Sequence, residues 1–376
     1  MKLILIQIAR LLGGLIAIYG VLLAVSLALV PRTGVAQRLD ASRASTSLFL
    51  TEPKYVFMTR SQLNTNADKV ILLGASNMLV GFKQTQVQTL VPGAEVHNLS
   101  VGGSNITQLE QITQLVREVQ TPEARRHNVY VIGLWYGLFA DDKARWYTAD
   151  RHPGDTDIDI ERYRYGFYRR TDAGPVPNLP PQDMDIGVLL IHPYLVLDSV
   201  ARDLTRSLRG FMAAKPAAIT DAQRNAVVLS DAEKLKYLEF WREYMGSVTT
   251  LGDAPFRTLA HMVDAILADG GRVVLVDMPI PHWHAQGAVL SIDYRQRAGA
   301  VFAALRGRPG VTVLAMNEAD TDDDFSDEVH PKPRVTEGWA KRLATSLNNA
   351  PELPTRTLAV GTRRESPPSS LPASPP

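Results

Sequence analysis

The sequence contains no cysteine at all. This excludes disulfide bonds, thiolate metal sites, a cysteine nucleophile and a lipid-modified cysteine anchor. Net charge is also nearly absent, because 40 Lys and Arg residues against 39 Asp and Glu residues leave a formal charge of +1. There is accordingly no electrostatic basis for binding nucleic acid. With 376 residues, 45% of them hydrophobic, the chain is long enough to bury a large core.

The N-terminus carries a long apolar run without a charge. Residues Leu11–Val30 read LLGGLIAIYGVLLAVSLALV, a length that spans a bilayer core as a helix. Lys2 and Arg10 precede it and favour a cytoplasmic N-terminus. We therefore predict a single-pass protein of the inner (cytoplasmic) membrane with a periplasmic or extracytoplasmic body. The alternatives are a cleaved signal peptide, with cleavage near 26–28 or 34–36, and a buried core helix.

Composition divides the rest of the chain. We predict an anchor at 1–32, a juxtamembrane linker at 33–68, an α/β domain at 69–350 and a disordered tail at 351–376, which is rich in Pro and Ser. Too many residues for one crossover separate the third and fourth predicted strands. This long interval indicates an inserted cap subdomain at about 140–255.

Strand and helix patterns alternate within the α/β domain. Short apolar runs predict buried parallel strands at Val70–Leu73, Val96–Leu99, Val129–Ile132, Val273–Val276 and Val311–Leu314. Helical patterns lie at Gln108–Val119, Phe256–Leu267 and Asp293–Leu305, and inside the insertion at Gly187–Phe211 and Ala222–Tyr244. This alternation predicts a three-layer α/β sandwich around a parallel sheet.

A serine follows the first predicted strand directly, in the stretch VILLGASNMLVGF (Val70–Phe82). Sites in parallel α/β sheets form outside the carboxyl ends of the strands, and Ser76 is expected at such an end. The backbone N–H groups of Ser76 and Asn77 would open the next helix, where negative charge is favoured. The alternative is a serine that only caps the helix.

A second motif lies near the C-terminus, in DDDFSDEVHPKPRV. Two residues separate Asp327 from His330, a spacing that lets the carboxylate bond one imidazole nitrogen and leaves the other free. The alternative is a solvated acidic loop with an incidental histidine.

A third motif, NLSVGGSNITQ (Asn98–Gln108), follows the second predicted strand. Adjacent glycines let the backbone approach a ligand, and their N–H groups can face an oxyanion. The side-chain amide of Asn105 is a further candidate donor. The alternative is a tight strand-to-helix turn.

In this order the three motifs resemble those of the SGNH (GDSL-like) hydrolase superfamily. Residues 74–76 match its first block, Asn98 with Gly103 its second, and residues 327–330 its last. The resemblance covers roughly Lys69 to Leu347.

The resemblance implies a serine hydrolase site without a cofactor or metal. Ser76 would be the nucleophile, His330 the base and Asp327 its orienting partner. The N–H groups of Ser76 and Gly103 would line the oxyanion hole, with Asn105 as a possible helper.

One block departs from the family pattern. The third block usually reads GxND, whereas this chain has Gly-Leu-Trp-Tyr at 133–136. Losing one oxyanion donor costs about 10²–10³ in rate unless another group replaces it. Asn105 or the Tyr136 hydroxyl would be the replacement, and Trp135 is either a pocket residue or a packing residue.

The anchor and the aromatic pair resemble a subgroup of extracytoplasmic SGNH proteins. The subgroup includes the teichoic-acid D-alanine transfer protein and proteins of alginate and exopolysaccharide O-acetylation. The segment Val273–Gly287, with Trp283 in a proline-rich loop, is similar as well. The resemblance implies an acyltransferase or esterase that acts on a cell-surface polysaccharide or other envelope polymer through an acyl-serine. A membrane-bound O-acyltransferase-type protein would be its partner, and the alternative is a non-catalytic polymer-binding or partner subunit.

Two further signals have several interpretations. His282 and His284 form an HxH pair that, with His330 and Asp327, has the composition of a zinc site. His282 and the adjacent Trp283 could instead line a pocket. The candidate pocket residues are Asn77, Trp135, Tyr136, His282 and Trp283. The aromatic and arginine-rich segment at 140–178 suits a carbohydrate, a membrane surface or plain packing.

Overall fold

The computed structural model describes residues 2–29, 56, 59–140, 152, 155, 159, 162–163, 166–180, 183–212, 220–246, 248–316 and 320–348. Most of the predicted linker at 33–68 and all of the predicted tail at 351–376 lie outside these residues. So does much of the aromatic segment at 140–178.

A five-stranded parallel sheet forms the centre of the body. Its strands are β1 (Lys69–Leu73), β2 (Glu95–Asn98), β3 (Asn128–Leu134), β6 (Arg272–Asp277) and β7 (Val311–Ala315), and two further strands are β4 (Tyr168–Thr171) and β5 (Gly174–Pro177). The sheet has the order β2-β1-β3-β6-β7, and all its neighbouring strands are parallel. The predicted parallel sheet is confirmed, since each predicted apolar run overlaps one of its strands. Strands β4 and β5 form a separate antiparallel hairpin.

Helices surround the sheet. In chain order they are α1 (Lys2–Leu29), α2 (Arg60–Leu63), α3 (Ser76–Gly81), α4 (Gln84–Leu90), α5 (Ile106–Val119), α6 (Pro122–Arg125), α7 (Met184–Met212), α8 (Asp221–Asn225), α9 (Asp231–Tyr244), α10 (Asp253–Ala268), α11 (His282–Gly287), α12 (Val289–Leu305) and α13 (Pro333–Asn348). Every residue of β1 and β3 is buried. Because successive residues point to opposite faces of a sheet, both faces of these strands must be covered. Helix α5 packs on α10, and α13 packs on α3 and α4.

The strand order positions the candidate site. The chain moves from β1 outward to β2 and then returns to add β3 on the other side of β1. Connections on either side of β1 and β3 therefore diverge, which opens a crevice at the carboxyl ends of these two strands. Ser76 follows β1, and Trp135 and Tyr136 follow β3.

Helix α1 is long and apolar enough to cross a membrane by length and composition. Its mean hydropathy over an 18-residue window is 2.3, and nearly all of its residues are exposed. This part of the sequence prediction is confirmed at the level of a candidate span.

The region at about 140–255 contains a hairpin and three helices among its described residues. Helix α7 lies where a helical pattern predicts it, whereas the segment predicted as helical at Ala222–Tyr244 is divided into two helices, α8 and α9. The β4–β5 hairpin was not predicted, although Asp172-Ala173-Gly174 is a turn sequence. Gly174 has a φ of 103°, which only glycine adopts without strain.

The packing of α3 on α13 gives a stability prediction. A Cβ at Gly81 would lie 2.6 Å from Cε3 of the buried Trp339 indole. We expect Gly81→Ala to lower the free energy of unfolding by about 1–3 kcal/mol, because the indole must move in a packed core. Urea unfolding of the detergent-solubilised protein, followed by tryptophan fluorescence, measures this change.

Gly338 is the matched control, since it lies on the exposed side of α13 with no atom within 4 Å of an added Cβ. We expect Gly338→Ala to raise stability by up to about 1 kcal/mol through helix propensity. Equal effects of the two substitutions would contradict the packing of α3 on Trp339.

Candidate active site

The loop carrying Asp327 and His330 is a tight turn built around one carboxylate. Ser326 N donates to His330 O at 2.9 Å and closes the turn. Asp327 Oδ1 accepts from the backbone N–H groups of Val329 (3.0 Å) and His330 (2.7 Å). Asp327 Oδ2 accepts from His330 Nδ1 at 2.8 Å, the contact that the sequence spacing predicts. His330 Nε2 has no hydrogen-bond partner among the described residues and can accept a proton.

Electrostatics favour His330 as a proton acceptor. Burial by itself lowers the pKa of His330, but the hydrogen bond and charge of Asp327 outweigh it and raise the pKa above its ordinary value. Burial raises the pKa of Asp327, and the hydrogen bond from His330 outweighs this, so the net pKa is lowered. The carboxylate thus stays ionised and stabilises an imidazolium.

Ion pairs fix the same loop from the other side. The ammonium of Lys332, a side chain only 1% exposed, lies 2.9 Å from Asp323 Oδ1. Arg334 pairs with Asp323 and Asp324 at 2.7 and 3.1 Å. The run at Asp322–Asp324, which reads in the sequence as a solvated acidic loop, forms a short 3₁₀ helix, and Asp322 and Asp323 in it are exposed.

Ser76 is the first residue of α3 and is half-buried. The loop after β2 lies beside it, because Val101 N and Ser104 Oγ both donate to Gly74 O, at 2.9 and 3.3 Å. A Cβ at Gly102 would lie 3.8 Å from Ser76 Cβ. The glycine loop and the serine therefore share one corner of the sheet edge.

Backbone donors are available at this corner. Gly103 has a φ of 70° and is exposed, a left-handed conformation that suits glycine. Within the described part of the chain, no acceptor takes the N–H of Ser76 or of Gly103. An oxyanion at Ser76 would find these groups unoccupied.

Asn105 caps helix α5. Its Oδ1 accepts from Gln108 N at 3.1 Å, while Gln108 Oε1 accepts from Asn105 N at 3.2 Å. This reciprocal capping box explains the Asn-x-x-Gln pattern, and the residue is fully buried. Its predicted part in the oxyanion hole stays a prediction.

The loop with His330 reaches α3 but does not bond Ser76 directly. Pro331 Cγ would lie 3.5 Å from a Cβ at Gly81, the last residue of the helix that Ser76 opens. Among the described residues, no hydrogen bond joins Ser76 Oγ to His330. In serine hydrolases this contact is often longer without a substrate.

A buried hydrogen-bond chain links the end of β3 to the turn. His284 Nδ1 lies 2.6 Å from the carbonyl oxygen of Glu328, which only accepts, so Nδ1 carries the proton. His284 Nε2 therefore accepts from the Tyr136 hydroxyl at 2.6 Å. Because a hydroxyl has one proton, Tyr136 cannot also donate to an oxyanion while this bond holds. The structure thus does not support Tyr136 as the replacement for the missing asparagine.

Aromatic rings from three segments enclose this chain. The Trp135 ring lies 4.9 Å from the Tyr136 ring and 5.2 Å from the Trp241 ring, both edge-on. Trp241, on α9, donates its Nε1–H to Glu328 Oε1 at 3.1 Å. A helix of the long insertion thus contacts the turn between Asp327 and His330.

The two histidines of the HxH pair lie in different environments. Both ring nitrogens of His284 are hydrogen-bonded, and the side chain of His282 is 55% exposed beside Asp322. In the described ranges, no group of three or more His, Asp or Glu side chains could hold a metal ion. Trp283 is half-buried and stacks on His284, with ring centroids 5.4 Å apart.

Two buried donors that follow the carboxyl ends of β1 and β3 lack a partner among the described residues. They are Asn77 Nδ2, next to Ser76 in the chain, and Trp135 Nε1, after β3. An unpaired buried donor costs about 1–3 kcal/mol, which a bound ligand oxygen would recover. Sequence reasoning placed both residues among the pocket candidates, and their unpaired donors are consistent with that role.

The chain matches no protein-family model, and no curated protein matches it either. The functional interpretation therefore depends on the geometry of this sheet edge.

The buried chain at His284 gives a pH prediction. Burial lowers the pKa of His284 to about 4, although the Glu328 carbonyl opposes this. As pH falls, the histidine is therefore protonated in the unfolded state before it is protonated in the folded state. The free energy of unfolding keeps its full value above the unfolded pKa of about 6.5 and decreases as pH drops towards 4. We expect unfolding free energy to decrease by about 2 kcal/mol from pH 7 to pH 5 through this group.

Urea titrations at both pH values measure this decrease. His284→Gln should be less stable at pH 7 but should lose this part of the pH dependence. His282→Gln, at an exposed histidine, should leave the dependence unchanged. An identical pH dependence in wild type and His284→Gln would refute the neutral, buried His284.

Proposed function

We propose that the protein is an extracytoplasmic, SGNH-type serine acyltransferase or esterase. It acts on an acyl ester, acetyl or similar, of a cell-surface polysaccharide or other envelope polymer. The observation that carries this proposal is the Asp327–His330 pair with Nε2 unoccupied. The loop that holds the pair contacts α3, the helix that Ser76 opens, through Pro331 and Gly81. The matched order of the three motifs and the five-stranded parallel sheet support the family resemblance.

The chemistry is acyl transfer in two steps. Ser76 Oγ attacks the acyl carbonyl carbon while His330 Nε2 takes the hydroxyl proton. The N–H groups of Ser76 and Gly103 hold the oxyanion. The carbon–oxygen bond to the donor then breaks, the leaving oxygen receives the proton from His330, and an acyl-serine remains.

The second step reverses these roles. His330 removes a proton from the acceptor hydroxyl, which attacks the acyl-serine, and Ser76 leaves with that proton. A sugar hydroxyl as acceptor gives transfer, and water gives hydrolysis. Asp327 keeps the imidazole in the required tautomer throughout.

The cellular setting is part of the proposal. Helix α1, with Lys2 and Arg10 in its first half, supports an inner-membrane anchor with an outside body. A membrane-bound O-acyltransferase-type protein would deliver the acyl group across the bilayer to this body. The site uses no cofactor in this mechanism.

Covalent labelling tests the nucleophile. We expect a fluorophosphonate probe to label the full-length protein in detergent, and p-nitrophenyl acetate to be hydrolysed. Ser76→Ala should abolish labelling, and His330→Ala should slow it by at least about 10³-fold, because the serine loses its base. Gel fluorescence and nitrophenolate release measure the two reactions.

Ser104→Ala is the control, since this serine lies at the same corner but bonds Gly74 O. It should keep labelling within a few-fold of wild type. Labelling that persists in Ser76→Ala would exclude the proposed nucleophile. A folded wild type that takes no label would favour the alternative, a non-catalytic polymer-binding or partner subunit.

The base can be tested through pH. His330 must be neutral to accept a proton, and its pKa lies above the ordinary 6.5, so the labelling rate should rise with pH through a midpoint above 6.5. In Asp327→Asn, burial lowers this pKa without opposition from the carboxylate. The midpoint should therefore move to lower pH while the plateau rate falls on the order of 10⁴-fold. An unshifted midpoint would contradict the pairing.

A further inference from the structure

A small cavity lies at the carboxyl ends of β3 and β6. Its volume is about 190 Å³. Six of the residues that line it are Trp135, Tyr136, Asp277, Met278, Ser291 and Tyr294. They come from the ends of the two strands and from the first turns of α12. Ligand sites in parallel α/β sheets form at this edge of the sheet, and the proposed acyl transfer uses none of these side chains.

Strand register places the cavity near Ser76. Leu73 in β1 pairs with Ile132 in β3, and Leu134 in β3 pairs with Asp277 in β6. Neighbouring strands lie about 4.8 Å apart, so two strand spacings, about 10 Å, separate the end of β1 from the β6 wall of the cavity. Ser76 opens α3 just after β1. The cavity therefore lies within reach of a ligand that also extends to this serine.

Two methionine side chains connect the cavity wall to α3. A Cβ at Gly133 would lie 2.8 Å from Met78 Sδ and 3.0 Å from Met278 Sδ. Met278 lines the cavity, and Met78 lies on α3, the helix that Ser76 opens. The cavity and the start of α3 therefore share one packed layer of side chains.

Two polar groups at the cavity are buried and unpaired. Ser291 is 2% exposed, and its hydroxyl has no hydrogen-bond partner among the described residues. Trp135 is 4% exposed, and its Nε1–H likewise lacks a partner in the described part of the chain. A buried polar group without a partner destabilises the fold unless a ligand or water pairs with it. Both groups therefore indicate a polar occupant.

The cavity also offers a negatively charged acceptor and aromatic walls. The buried Tyr294 donates its hydroxyl to Asp277 Oδ1 at 3.3 Å. An ionised carboxylate has about four acceptor positions, so Asp277 has capacity for ligand hydroxyls as well. The Tyr136 hydroxyl is donated to His284 Nε2, so Tyr136 contributes its ring to the wall.

This set of groups selects the chemical class of the ligand. Asp277 repels an anion, while Arg295, the arginine that lines the cavity, is exposed and donates to Ala285 O at 2.8 Å. A single ion would leave most of the cavity empty, since its volume equals that of about six liquid waters. A sugar ring suits it, because sugar hydroxyls both donate and accept, and the C–H face of the ring packs on aromatic side chains.

We propose that this cavity is a subsite for one uncharged sugar ring of the polymer. The inference rests on the proposed function for the polymer itself. Hydroxyls of the ring donate to Asp277 and accept from Trp135 Nε1–H and the Ser291 hydroxyl. Because the cavity lies about 10 Å from the end of β1, the ring held there is a neighbour of the unit that reacts at Ser76. The subsite thus selects the polymer.

Saturation-transfer NMR tests the subsite directly. The full-length protein is placed in phosphatidylcholine nanodiscs, since maltoside detergents are themselves glycosides, and empty nanodiscs are the blank. The probes are the methyl glycosides of glucose, galactose, mannose and N-acetylglucosamine, with alanine as a smaller, zwitterionic probe. We expect at least one glycoside to bind saturably. Ser291→Ala should weaken its affinity about fivefold, and Asp277→Asn about tenfold, through the lost hydrogen bond and charge.

Ser100→Ala is the matched control. Ser100 is 1% exposed and its hydroxyl is unpaired in the described ranges, but it follows β2 and does not line this cavity. It should leave glycoside affinity unchanged. Circular dichroism of each variant checks that it is folded.

Fluorophosphonate labelling of the same wild-type sample separates the subsite from the proposed function. Labelling without binding of any glycoside would overturn the subsite and leave the acyl-serine mechanism intact. Glycoside binding that both cavity variants weaken, in a protein that takes no label, would support the subsite and overturn the catalytic function. Binding that neither variant weakens, or binding of alanine alone, would overturn the subsite.

Discussion

Three hydrogen bonds accepted by the Asp327 carboxylate set the conformation on which the candidate site depends. Two of them, from the N–H groups of Val329 and His330, fold the backbone into a turn. The third orients the imidazole. One carboxylate therefore both folds the loop and orients the imidazole of His330. The surrounding contacts hold this turn in place, with the Lys332–Asp323 pair on one side and the His284 bond to Glu328 O on the other.

Two helices of the long insertion after β3 contact two different parts of the chain. Its helix α9 contributes Trp241, which bonds Glu328 in the turn. Its helix α7 contacts α1 through His192 and Ser26. The same insertion thus touches both the candidate site and the candidate anchor.

The sheet was predictable because its strands are buried on both faces, so their sequences are continuous apolar runs. The Asp327–His330 bond was predictable because it is local. The Tyr136–His284 bond was not predictable, because 148 residues separate its partners and neither segment carries a pattern that indicates the other as its partner. Asn105 shows a different limit: an Asn-x-x-Gln pattern fits a helix cap, and the same asparagine in a glycine loop also fits an oxyanion donor, so the sequence does not separate the two roles.

The order of the chain has a consequence for biosynthesis. Ser76 lies early, whereas the turn with His330 lies within the last 50 residues or so of the 376 and needs Tyr136, Trp241 and His284 to hold it. At about 5–20 residues per second, the proposed base leaves the ribosome roughly ten to fifty seconds after the serine. Ser76 is thus without the proposed proton acceptor for that interval, and the site proposed here can assemble only late in synthesis.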